Sequence, residues 1–244
     1  MLAEASRAAG FTVGFSTKAY FSDASLKRWL SAVADQPDPP DVLRFLVPSH
    51  PSLRAARERA PESMLIGAQN VSVHMPGPYT GEVTAELLAE VGADFVELGH
   101  AEHRSIGDSD AIIARKAEQA ISQGLDVLLC VGEPEHVDAT SAAKHCAGQV
   151  KSTATSLDRL VIAYEPVWAI GSSEPASSEH IIATLTELKS LLGSEDLPII
   201  YGGTAGPGLL SGISSVAKGL FLGRRAHDPE VFGAVVEEAT ALIG

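Results

Sequence analysis

Phe11-Thr12-Val13-Gly14-Phe15 is a short apolar run, followed by Ser16-Thr17-Lys18-Ala19 without a glycine cluster. That ending separates two folds. An open doubly wound sheet that binds dinucleotides carries a Gly-rich turn after its first strand, and this chain has none there. Working outward, similar runs recur at Val42–Val47, Met64–Gly67, Phe95–Leu98, Val127–Val131, Leu160–Tyr164, Pro198–Tyr201 and Gly219–Leu222. They are short, continuous and mostly aliphatic, as parallel strands buried on both faces should be. Between most of them lie helical stripes. Leu26, Trp29, Leu30 and Val33 are spaced i, i+3, i+4, i+7, Ile112, Ile113 and Ala117 share a face, and so do Ile181, Leu185, Leu188 and Leu192. A last helix carries Val231, Val235 and Val236 after Asp228-Pro229. Eight strand–helix repeats in 244 residues predict an α/β fold, a single (β/α)8 barrel domain over residues 1–244. Residues 1–10 are expected to be a loose lead-in. The glycine-rich Gly203-Thr204-Ala205-Gly206-Pro207-Gly208 follows the seventh run and has the wrong spacing for a dinucleotide fingerprint.

Composition narrows the function. Acids outnumber bases 31 to 18, a net charge of −13, which repels phosphate backbones and argues against nucleic acid as a partner. An anionic substrate must then be captured by local features. With 45% hydrophobic residues the chain can bury a core and is not disordered. No apolar run approaches the roughly 18 residues of a membrane span, and no secretory leader is visible. Cys130 and Cys146 form no CxxC pair, so a reducing, cytoplasmic setting is expected. The histidines show no metal-ligand spacing, and neither a metal nor a cofactor is expected.

In such a barrel, function gathers where strands end. The polar residues there are Lys18, Gln69-Asn70, His100 with Glu102, Cys130 with Glu133, Glu165, Gly203-Thr204 and Gly223-Arg224. Taken singly, Lys18 reads more readily as a solvated surface lysine and His100 as a hydrogen-bonded strand-end histidine. Together, a lysine, a histidine and a glutamate suit proton transfer beside a carbonyl. Glycine-bearing turns after strands seven and eight suit a phosphate held by backbone N–H groups. A phosphorylated carbonyl compound fits both. Residues 69–82 form a connection far longer than an ordinary βα loop, which points to binding.

Ala163-Tyr164-Glu165-Pro166-Val167-Trp168-Ala169-Ile170-Gly171 resembles the catalytic-glutamate and lid segment of the triosephosphate isomerase family. Glu97 to Arg104, Tyr79-Thr80-Gly81-Glu82, Cys130-Val131-Gly132-Glu133 and Tyr201-Gly202-Gly203-Thr204 occur in that family's order, covering the chain from about Val13 onward. The resemblance implies a homodimeric isomerase of a short sugar phosphate, in which Glu165 is the base and His100 a neutral electrophile, the roles for which the family is known. It further implies that Lys18 attracts the anion and stabilises developing charge and that Glu102 supports the site. Residues 166–175 would be a closing lid, and Gly171, Thr204, Gly223 and Arg224 would hold phosphate. Thr80 would tip a loop that reaches a partner subunit. Glu133 and Cys130 read as structural.

The chain departs from the family pattern at several places. Ser16-Thr17-Lys18 stands where Asn-Trp-Lys is usual, so Ser16 replaces a site amide with a hydroxyl. Ala101 replaces a serine and His103 an arginine, the lid loses a hinge glycine, and Gly223-Arg224-Arg225 replaces paired glycines. Base, electrophile and lysine survive while their surroundings change. That pattern is similar to family members acting on four-carbon erythrulose phosphates. The competing expectations are an ordinary triosephosphate isomerase and a non-catalytic barrel that binds phosphorylated ligands.

Overall fold

The computed structural model describes residues 1–153 and 156–244. The chain runs α1 (Leu2–Ala8), β1 (Phe11–Ser16), α2 (Asp23–Ala34), β2 (Val42–Val47), α3 (Leu53–Arg59), β3 (Met64–Ala68), α4 (Ala85–Glu90) and β4 (Phe95–Leu98). It continues through α5 (Ala101–Ser105), α6 (Asp110–Ser122), β5 (Asp126–Val131), α7 (Ala139–Thr153), β6 (Leu160–Tyr164) and α8 (Ser178–Leu192). The last elements are β7 (Ile199–Tyr201), α9 (Leu209–Ile213), β8 (Gly219–Leu222) and α10 (Pro229–Ala241). The strands form a closed parallel barrel in sequence order, sealed by β1 against β8 with Thr12 opposite Gly219. The expected (β/α)8 barrel is therefore present, and each expected strand is found with its ends shifted by at most one residue.

Parallel neighbours need a crossover, and the helices that supply it start on local caps. Ser22 accepts from the Ser25 N–H at 3.2 Å before α2, Ser177 from the His180 N–H at 3.2 Å before α8, and Asp228 precedes Pro229 at the first turn of α10. Their apolar stripes face the sheet: Leu26, Trp29, Leu30 and Val33 are buried. On α10 the buried residues are Phe232, Val235, Val236 and Ala239, one position on from the expected Val231.

Inside the barrel, Phe45, Phe95, Leu128, Val161, Ile200 and Phe221 form a separate cluster. Gly14 makes room for it, since a Cβ there would lie 1.9 Å from the Phe45 ring.

Residues 1–10 are not the loose lead-in that the sequence suggested. Seven of them form α1, whose Leu2 and Ala3 are buried and join the interior cluster. The Ala3 N–H donates to Asp126 at 2.9 Å, and the Arg7 guanidinium donates to the carbonyls of Asp158 and Leu157 at 2.9 and 3.0 Å. These partners lie where β5 and β6 begin, so α1 plugs the N-terminal end of the barrel. The site is left to the opposite end.

Candidate active site

At the C-terminal end of the strands, Ser16, Lys18, His100, Glu102, Glu165, Gly171, Thr204, Gly223 and Arg224 all line one cavity of about 560 Å³. The expected catalytic and anion-binding residues therefore meet in one place. Thr80 is elsewhere, exposed at the tip of its long loop.

Lys18 sits just past β1 at φ +46°, in the left-handed region that a non-glycine residue adopts only when its surroundings impose it. Gln69, from the end of β3, imposes it: its Nε2 donates to the Lys18 carbonyl at 3.0 Å and the Val47 carbonyl at 3.1 Å. The ammonium donates to Glu102 Oε1 at 2.7 Å and lies 3.3 Å from His100 Nε2. Burial alone would lower the Lys18 pKa, but that bond and the charges of Glu102, Glu165 and Glu97 raise it overall. Lys18 is a permanent cation.

His100 ends β4 and caps α5. Its Nδ1 accepts the Glu102 N–H at 3.1 Å, which puts the proton of the neutral ring on Nε2, facing the cavity. Burial, reinforced by the charge of Lys18, depresses its pKa to about 4, so the ring is neutral at physiological pH. Nε2 lies 3.4 Å from Glu165 Oε2.

Glu165 follows β6, its N–H bonded to the Val131 carbonyl at 2.8 Å. The residue is 3% exposed. Gly202, after β7, is what admits it, because a Cβ there would stand 2.6 Å from Glu165 Oε1. Among the described residues, Oε2 has no aligned hydrogen bond, and Ala101 offers no hydroxyl to supply one. Burial, with the nearby charge of Glu97, pushes the carboxyl well above the usual range. The carboxyl is thus a stronger base than one in water, placed beside a neutral imidazole.

The other side of the cavity is cationic. Arg224 and Arg225 both line it, and neither has an acidic partner among the described residues. Arg225 reaches the Ser173 carbonyl at 3.5 Å, and the Thr204 hydroxyl reaches that of Ala169 at 2.9 Å, tying the strand ends to the expected lid. Glu133 is structural, as expected: Oε1 accepts from Trp168 Nε1 at 2.7 Å and the Tyr164 hydroxyl at 3.2 Å, anchoring the start of the lid. Cys130 is a buried member of the interior cluster.

Two contributors are faint in the sequence. Arg225 stands out there only as a departure from the family pattern. For Glu97 the available signal is one acid in the apolar run Phe95–Leu98, two residues from inward-facing Phe95.

A family profile described as triosephosphate isomerase matches residues 11–239. Among curated relatives, an L-erythrulose-1-phosphate isomerase of Pectobacterium atrosepticum is 38% identical over 249 residues, covering 95% of this chain and 96% of that protein. One of Brucella melitensis is 32% identical over 237 residues, covering 90% and 93%. A triosephosphate isomerase of Alcanivorax borkumensis is 39% identical over 172 residues, covering 65% of this chain and 70% of that protein.

Proposed function

The chain belongs to the triosephosphate isomerase family, a family of sugar-phosphate isomerases, and from that premise we propose that its substrate is a four-carbon ketose phosphate whose carbonyl it moves to the neighbouring carbon. Glu165 takes the proton from the carbon beside the carbonyl and returns it to the former carbonyl carbon. His100 Nε2–H donates to the oxygen that gains negative charge, and the ring relays the hydroxyl proton from one oxygen to the other. Lys18 balances the charge of the enediolate between these transfers. Electrons stay within the substrate and no redox partner is needed. The phosphate lies on Gly171, Thr204, Gly223 and Arg224, with the residues 166–175 segment as the lid that excludes water.

The observation that carries this reading is the pairing of Glu165 Oε2, without a hydrogen bond among the described residues, with a neutral His100 at 3.4 Å, in a cavity also lined by two arginines that have no acidic partner among those residues. A barrel that only held phosphate has use for the arginines and none for the buried carboxyl. Four carbons are favoured over three by Ser16, which lines the cavity with a side chain shorter than the family's asparagine, and by relatives named for erythrulose phosphate that align over nearly the whole chain. Side-by-side kcat/KM on one preparation tests this. An erythrulose phosphate is expected to exceed glyceraldehyde 3-phosphate and dihydroxyacetone phosphate. Preference for the triose phosphates returns the protein to ordinary triosephosphate isomerisation, and no turnover of either makes it a binding barrel.

The same reading includes a homodimer. The loop between β3 and α4 is pinned at its base by the Ser72 N–H on the Val83 carbonyl at 2.8 Å, and it stacks His74 on Tyr79 at 3.8 Å. It carries Met75, Tyr79 and Thr80 into the open, and a second copy across a twofold is the commonest cover for such an arm. Light scattering is expected to give twice the chain mass of 25.5 kDa; full activity from a monomer at nanomolar concentration refutes the role. Both cysteines are free and buried, which suits a cytoplasmic setting.

A further inference from the structure

Glu97 is a carboxylate that this chemistry leaves unused. It projects from β4 on the interior face and is 4% exposed. Glu102 is paired with Lys18 at 2.7 Å and Glu165 is the base. Among the described residues Glu97 has no ion pair, and its side-chain hydrogen bond is a long one, from Ser16 Oγ at 3.4 Å. Burying a carboxyl so poorly partnered costs free energy and does nothing for packing. Burial pushes its pKa up to about 7 although the charge of Lys18 pulls the other way.

Its position gives it a use. Glu97 opens, with Ser16, Lys18, His100 and Glu102, onto a second cavity of about 370 Å³ that adjoins the main one. β4 lies four strands from β8 in either direction around the barrel. A substrate whose phosphate rests on Gly223 and Arg224 therefore extends its uncharged end toward β4. We propose that Glu97, with Ser16, receives the hydroxyl of the fourth carbon and is the residue that selects four-carbon over three-carbon substrates. The proposal rests on the four-carbon reading above. The hydroxyl donates to the carboxyl, supplying the partner that the fold withholds, while the short Ser16 side chain leaves the space. A triose phosphate ends one carbon short and leaves Glu97 unpartnered. Sites built to bond a hydroxyl reject the analogue lacking it for this reason.

The test compares kcat/KM for an erythrulose phosphate and for glyceraldehyde 3-phosphate in the wild type, Glu97→Leu, Glu97→Met and Glu97→Gln. The two apolar variants, either of which suffices if the other does not fold, are expected to lower the four-carbon to three-carbon ratio by about 10–100-fold, chiefly through the four-carbon substrate. Glu97→Gln keeps an acceptor oxygen and is expected to recover most of the ratio. Calorimetry with the non-reacting probes erythritol 4-phosphate and glycerol 3-phosphate should show the same loss of discrimination, which a merely structural role would not produce. Equal losses for both substrates overturn the role of Glu97 alone and leave the four-carbon reading standing. A wild type that prefers the triose phosphate overturns both.

Discussion

Glu165→Gln is expected to lower kcat by about 10²–10⁴-fold, the usual cost of losing a positioned base. An amide of the same shape keeps the packing against Gly202 but cannot accept a carbon-bound proton at neutral pH. The fold should survive and become less sensitive to alkali. Burial, with Glu97 nearby, holds the folded-state pKa of Glu165 well above its unfolded value of 4.5. As pH rises past 4.5 the unfolded chain ionises first and binds fewer protons, so this group subtracts stability until pH passes its folded pKa. Glutamine removes the titration. Melting temperatures at pH 5 and pH 8 should therefore converge in the variant while activity is lost, which separates a missing base from a collapsed site. Activity within about twofold of wild type would remove Glu165 from the mechanism.

Lys18→Met is the second large effect, an expected fall in kcat/KM of about 10²–10³-fold, the scale of losing one donor aimed at developing negative charge. Methionine approximates the length of the stem without the cation. Two further readouts locate the loss. After burial, the charge of Lys18 is the next cause depressing His100 to about 4. Without it, and with Glu102 released from its 2.7 Å bond, the imidazole pKa should rise in an NMR titration. Part of the His100 population is then charged in mildly acidic buffer, so the variant's pH–rate profile should lose activity on the acid side earlier than the wild type's. A loss below about tenfold with an unmoved His100 would show that Lys18 only attracts the substrate.

The barrel was legible because buried parallel strands must be apolar on both faces. Runs such as Leu160–Tyr164 announce themselves, and a polar residue just beyond one, such as Glu165, marks the functional end. Seven of the nine expected cavity residues, Lys18, His100, Glu102, Glu165, Thr204, Gly223 and Arg224, are legible in this way without knowing a distance, whereas Ser16 and Gly171 stand out only through the family resemblance. Glu97 is not legible, because it lies one step inside a strand, where a single acid looks like noise until the register shows that it faces inward. The short α1 escaped for a different reason. Seven residues carry too little periodicity to be read as a helix, and what orders them is contact with segments far along the chain.

That distance has a consequence for synthesis. The partners of α1 are 123 residues away at Asp126 and 151 away at Asp158. An isolated helix of this length is unstable in water, so α1 has no reason to persist before those residues exist. At roughly 5–20 residues per second, a ribosome leaves Leu2 and Ala3 without their pocket for about 6–30 s. The end of the barrel that lies away from the chemistry is therefore closed late, by a segment made long before the strand ends it covers.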